Sequence, residues 1–256
     1  GGVARLRGKR RRAAVGGGGI AHAAGTPAAE AGVPVGKRPR RPAQTMEHLR
    51  REAIDSYCAP GEDDIGLDGM MRLCADLGVE PEDPVMIALS FVMKAENLGY
   101  YTREEFMRGM ERLGCATIAE LKSSPVQTRL RSLLAPDNSH FYELYKFAYG
   151  WACEPAQRSI AKDVAVRLWP LLLRPLGFPL LDSYLEFVAQ SQGRGVTRDL
   201  WIQFYQFVLQ VMSGRLSLDR YDSESCAWPV MIDDWVDFAK QHNLIGAVKG
   251  RAMDEG

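Results

Sequence analysis

Three carboxylates, Asp233, Asp234 and Asp237, fall close together in the run ESCAWPVMIDDWVDFAK (224–240). Grouped acids of this kind can share a proton for acid–base work, hold a metal ion, or keep one face of a helix wet. With Asp233 set at zero on a helical wheel, Asp237 falls at about 40° and Asp234 at about 100°. Met231, Ile232, Trp235, Val236, Phe238 and Ala239 fill the opposite arc. The acids therefore read as the exposed face of an amphipathic helix begun by Pro229, and their place near its N-terminus suits the helix dipole.

Two other segments have residue types suited to calcium. In KAENLGYYTREE (94–105), Gly99, Tyr101 and Glu105 occupy the sixth, eighth and twelfth slots of a calcium-binding loop. The first slot, however, holds Lys94, which repels a cation, and the fifth holds Leu98, which has no side-chain oxygen. With Ile65 in the eighth slot of a second loop, the twelfth is Gly69, so the bidentate acid is missing. Both segments predict calcium-loop geometry without metal, and no metal or cofactor site is assigned.

Nucleophile signatures are sparse. The cysteines at 58, 74, 115, 153 and 226 form no C-x-x-C pair and have no histidine at ligand spacing. Their odd count and scatter point to a reducing compartment rather than to disulfides or zinc. Cys74 and Cys115 sit on or beside apolar helix faces, as small buried hydrophobes do. A cysteine enzyme would need the fold to bring His48, His140 or His242 to a thiol, and no hydrolase, nucleotide-binding or zinc-protease motif occurs.

The elements that must position these residues are helical. Apolar residues recur at helical spacing in 45–58 (Met46, Leu49, Ala53, Tyr57) and in 67–78, which Gly78 closes. Further helices are expected near 83–96, 102–113, 117–134, 139–152, 160–173, 178–191 and 197–213. Strand signals are limited to a residue or two between the early helices. The fold class is all-α.

Residues 1–42 differ from this body. They are rich in Gly, Ala, Pro and Arg, without an aromatic residue, and predict a disordered basic tail. Ten Lys/Arg and one acid in 1–44, set against 32 of each overall, leave 22 cations and 31 acids in the body. A tail of +9 on a body of −9 suits a basic protein partner and argues against nucleic-acid binding. The clusters GKRRR (8–12) and GKRPRR (36–41) resemble nuclear-import signals, and the acid-free first 29 residues also fit an organellar transit peptide. The expected location is nucleus and cytoplasm. No segment reaches the roughly 20 apolar residues of a membrane span, so the chain reads as soluble, without a membrane partner.

Several motifs in one order carry a family resemblance. GLDGMMRLCADLGVEPED (66–83), NLGYYTREEFMRGMERLGCATIAELK (97–122), EP-x-QRSI (154–160) and CAWPVMIDDWVDFAK (226–240) resemble the defective-in-cullin-neddylation (DCN-like) proteins over about 45–245. The resemblance implies a helical potentiating-neddylation (PONY) domain at 43–245. Its parts would be an EF-hand-like half (43–135) with two metal-free units and a cullin-binding half (136–245), followed by a flexible tail at 246–256. It also implies a non-catalytic, scaffold-type co-ligase that joins a cullin C-terminal domain to the neddylation conjugating enzyme, with the cullin's RING partner involved indirectly. An EF-hand-like, calcium-responsive adaptor is the alternative.

By the same resemblance, Asp199, Ala227 and Asp233 form the cullin-binding patch, with Ala227 letting a basic surface approach two carboxylates. An apolar pocket for the conjugating enzyme's acetylated N-terminal Met carries over to Leu67, Met70, Met86, Leu89, Ser90 and Met93. The rest of that pocket carries over to Tyr101, Trp151, Leu168 and Leu171. Each of these ten also fits an ordinary core, and Pro170, Pro175 and Pro179 depart from the family pattern beside the last two.

Overall fold

The computed structural model describes residues 43–193, 195–225 and 227–246. The basic tail at 1–42, both of its cationic clusters and residues 247–256 lie outside the described residues. The all-α expectation holds: eleven α-helices and two three-residue strands order the described chain.

The first helices are α1 (Ala43–Asp55), α2 (Leu67–Leu77), α3 (Pro84–Met93) and α4 (Arg103–Leu113). Local chemistry sets their ends. Asp83 caps α3 by accepting from the Val85 N–H at 2.9 Å, and Pro84 opens the helix where no amide hydrogen is needed. Thr102 and Glu105 form a reciprocal capping box on α4, and Gly78 and Gly114 take the left-handed conformation that ends α2 and α4. The α1–α2 and α3–α4 loops meet in a single antiparallel bridge, Ile65 to Tyr101, with both N–H···O bonds made at 2.8 and 3.1 Å.

The helix expected at 117–134 is instead two, α5 (Ile118–Leu121) and α6 (Ser124–Ser132). Pro125 explains the break. It has no N–H to donate to the Leu121 carbonyl, and its ring would clash there in a continuous helix. Ser123 and Pro125 then begin α6.

The later helices are α7 (Phe141–Ala152), α8 (Lys162–Leu173), α9 (Leu181–Gln190), α10 (Arg198–Met212) and α11 (Val230–Gln241). All five α7 residues expected in register, Phe141, Leu144, Tyr145, Ala148 and Trp151, are buried. Pro170 does not break α8, which runs through it to Leu173; Pro175 falls in a 3₁₀ turn and Pro179 in the approach to α9. The strands β1 (Ser159–Ala161) and β2 (Gly195–Thr197) pair antiparallel, tying the starts of α8 and α10 together. Strand signals were expected only among the early helices. Three residues are too few for an alternating pattern to show, and Gly195 is required because a Cβ there would lie 2.6 Å from the Ile160 carbonyl oxygen.

The core of the later helices is aromatic. Trp201 stacks on Trp169 (centroids 5.2 Å apart) and on Tyr145 (4.9 Å). Tyr184 stacks on Phe204 at 3.6 Å and meets Trp235 edge-on. Tyr145 is the polar hub of this stack: it donates to the Trp201 carbonyl at 2.8 Å, and the Trp169 and Trp201 indoles donate to its hydroxyl and carbonyl at 3.0 Å each.

Candidate functional site

Helix α11 turns Ile232, Trp235, Val236 and Ala239 into the core and leaves Asp234 and Asp237 exposed, as the sequence pattern predicts. Asp233 differs. It lies at the boundary, half-buried, and its Oδ1 accepts a hydrogen bond from the Tyr221 hydroxyl. Tyr221 is itself held, because Lys240 donates to its carbonyl at 2.6 Å. The two neighbouring acids are thus unequal, one braced and one solvated.

Ala227 is exposed. The next residue, Trp228, packs edge-on against Phe207 of α10 at 5.4 Å, and the Tyr221 ring meets the same Phe207 at 6.1 Å. One buried phenyl therefore anchors the segments that carry Ala227 and Asp233. Asp199, exposed in the first turn of α10, lies eight residues from Phe207, about 12 Å along the helix axis. Gln203 donates to both of its carboxylate oxygens at 2.8 Å. Tyr221 and Gln203 are the braces that sequence reading missed. Gln203 was detectable as an i,i+4 partner, whereas Tyr221 lies twelve residues from Asp233 and beyond a loop.

The ten pocket positions lie largely in the core. Met70, Met86, Leu89, Ser90, Met93, Tyr101, Trp151 and Leu168 are buried, Leu171 is half-buried, and Leu67 is 72% exposed. Four of them share α3, where the Ser90 and Tyr101 hydroxyls are hydrogen-bonded at 2.7 Å. Met93 lies against α4 at Gly109, where a Cβ would come within 2.2 Å of its Cγ. Leu67 lines a surface cavity with Tyr57 and Arg72, and Trp151 lines a different one with Phe147 and Arg198.

The loop acids act on their own backbone. Glu105, the twelfth-slot residue, is buried, and its two oxygens accept from the Glu96 and Thr102 N–H groups at 2.8 Å each. Asp64 accepts from the Tyr100 hydroxyl and from the Arg103 N–H at 3.0 Å. The Asp64 bond, with some help from burial, pushes the Tyr100 hydroxyl pKa up to about 12. Among the described residues, no group of three or more His, Cys, Asp or Glu side chains is placed to hold a metal ion.

Three of the thiols are shifted away from the thiolate form. Burial is the largest cause raising the pKa values of Cys58, Cys74 and Cys115, the reverse of what a nucleophilic thiolate needs. His48 pairs with Glu52, His140 with Ser139, and His242 with the Phe238 carbonyl.

Fold and site together define an all-helical domain that carries two hydrogen-bonded acids, Asp199 and Asp233, at its surface. The family described as "Cullin binding" matches residues 122–238, which contain Asp199, Ala227 and Asp233. Human DCN1-like protein 4 is 35% identical over 73% of this chain, which spans 62% of that relative's length. Defective in cullin neddylation protein 1 of Yarrowia lipolytica is 32% identical over 74% of this chain and 77% of its own length. Rat DCN1-like protein 5 is 35% identical over 72% and 74% respectively. The chain belongs to the DCN1-like, cullin-binding family.

Proposed function

We propose that this chain is a non-catalytic co-ligase of cullin neddylation, a scaffold that holds a cullin and a conjugating enzyme in reacting geometry. The observation that carries the reading is the cullin-binding family match over 122–238, joined to relatives named for cullin neddylation. The braced acids support it physically. Carboxylates already oriented by Tyr221 and Gln203 lose little further freedom when they meet a basic surface.

In this reading Asp199, Ala227 and Asp233 contact the cullin C-terminal domain, with Ala227 allowing close approach. The acetylated N-terminal Met of the conjugating enzyme enters the apolar region of Leu67, Met70, Met86, Leu89, Ser90 and Met93, completed by Tyr101, Trp151, Leu168 and Leu171. Burial of most of these side chains requires that region to open as the Met enters. The rate gain comes from proximity and orientation, while the conjugating enzyme and the cullin's RING partner supply the chemistry. The basic tail places the protein in the nucleus as well as the cytoplasm, which imaging of the tagged chain with and without residues 1–42 would test.

The deciding measurement is binding of a cullin C-terminal domain to wild type and to Asp233→Lys at low salt. Affinity should drop by at least about tenfold, since an attractive charge becomes a repulsive one within the interface. Equal affinities would sink the patch assignment. For the pocket, acetylated N-terminal peptides of the conjugating enzyme should bind more tightly than unacetylated ones, because a free ammonium is costly to bury.

A further inference from the structure

Between α3, α4, α7 and the start of α10 lies a groove of about 820 Å³ that the docking reading leaves unused. Its apolar floor is Phe91 and Phe147, half-buried rings that meet edge to face at 5.4 Å. Lys94, Arg112, Lys146 and Arg198 surround that floor, together with His140 and a single acid, Glu143. A second cavity of about 480 Å³ shares Lys146, Phe147 and Arg198 with the first and continues it past Glu96 to Trp151, where it meets the region proposed for the conjugating enzyme's Met.

The charge of this groove runs against that of the body. From residue 45 onward the chain carries 31 acids and 22 cations, yet the two joined cavities gather four cations and two acids. Glu143 is committed to Lys146 at 2.6 Å. Among the described residues, Lys94, Arg112 and Arg198 have no carboxylate within ion-pair distance.

We propose that this groove docks a short acidic protein segment with one aromatic or aliphatic anchor. Its carboxylates meet Lys94, Arg112 and Arg198, and its anchor rests on Phe91 and Phe147. A protein segment fits better than a nucleic acid. Half-buried rings at the centre of the cations favour an apolar side chain, and the body's surplus of acids repels a long polyanion. The groove is thus the charge complement of the Asp199–Asp233 region, and its partner is the opposite in sign to a basic cullin surface.

The test uses the full chain and fluorescence anisotropy with a labelled Glu-rich peptide carrying one central Phe. The same peptide with Lys in place of Glu, and a single-stranded oligonucleotide, serve as comparators. The acidic peptide should bind, and neither comparator should match it. Lys94→Glu combined with Arg198→Glu should weaken binding by at least about tenfold, and Phe147→Ala should weaken it with the cations intact. Either variant binding like wild type, equal binding of the oligonucleotide, or failure of the acidic peptide to bind at low salt overturns the proposal. Asp233→Lys should leave peptide binding unchanged, so this site and the proposed cullin patch stand or fall separately.

Discussion

The stretch from α1 to α6 and the stretch from α7 to α11 are both helical, but they are held together differently. In the first, an apolar core around Ile54, Leu73, Met93 and Phe106 is supplemented by carboxylates that tie its loops. Glu105 bridges the Glu96 and Thr102 amides, Asp64 joins Tyr100 to Arg103, and Asp83 both caps α3 and grips Arg131 of α6 at 2.9 and 3.1 Å. In the second, rings do the joining, through the stack of Tyr145, Trp201, Trp169, Phe204, Tyr184 and Trp235. Glu105, Asp64 and Asp83 each also accept from a backbone N–H of their own stretch. Because the aromatic core needs no carboxylates, those of the second can face outward at Asp199 and Asp233, braced only by side chains. Carboxylates therefore tie elements together in the first stretch and stay at the surface in the second.

The sharpest way to break this comparison is to remove a ring. Trp201 is fully buried between Trp169 and Tyr145, with its N–H donating to the Tyr145 carbonyl. Trp201→Ala should cost about 3–5 kcal/mol in denaturant unfolding, the range for deleting a large buried aromatic. A loss below about 1.5 kcal/mol, typical of tolerated core swaps, would mean the stack is not what holds the second stretch.

A smaller effect tests the first stretch. Glu105→Gln keeps the shape but turns one acceptor oxygen into a donor, so either the Glu96 or the Thr102 amide loses its partner. The expected cost is about 1–3 kcal/mol, with faster amide exchange at those two positions. Unchanged stability would show that the loop does not depend on this carboxylate. Micromolar calcium binding by wild type in a calorimetric titration would go further, since the metal would have to compete with two backbone amides for Glu105.

What could be read from the sequence follows the range of the interactions. The helical class, the α7 register, the Gly78 stop and the wet face of α11 all rest on neighbours within a turn or two, and periodicity records them. The break at Pro125 was also local and could have been read from the Ser-Ser-Pro run. The β1–β2 pair could not, because it joins residues more than thirty positions apart through only three residues on each side. The same distance effect hid Tyr221 behind Asp233, and it hid the basic groove, whose cations come from α3's C-cap, α4, α7 and α10. For the ten pocket positions, apolar residue type alone suits a core and a pocket equally well.

The smallest predicted effect isolates a single ion pair. Burial works against the charged form of Asp83, but the Arg131 guanidinium and the Val85 N–H outweigh it, so its pKa lies below the usual carboxylate value. A folded pKa below the unfolded one gives stability that is present above the ordinary aspartate value of about 3.9 and fades as pH falls through the folded pKa. Asp83→Asn keeps a good helix cap but removes the charge. Because Arg131 is half exposed, wild type should exceed the variant at neutral pH by no more than about 1 kcal/mol. That margin should shrink on acidification and also in high salt, as measured by urea unfolding across the acid range. A margin unchanged by both acid and salt would mean that Asp83 works through cap geometry alone, and the first stretch would then depend less on charge than its carboxylates suggest.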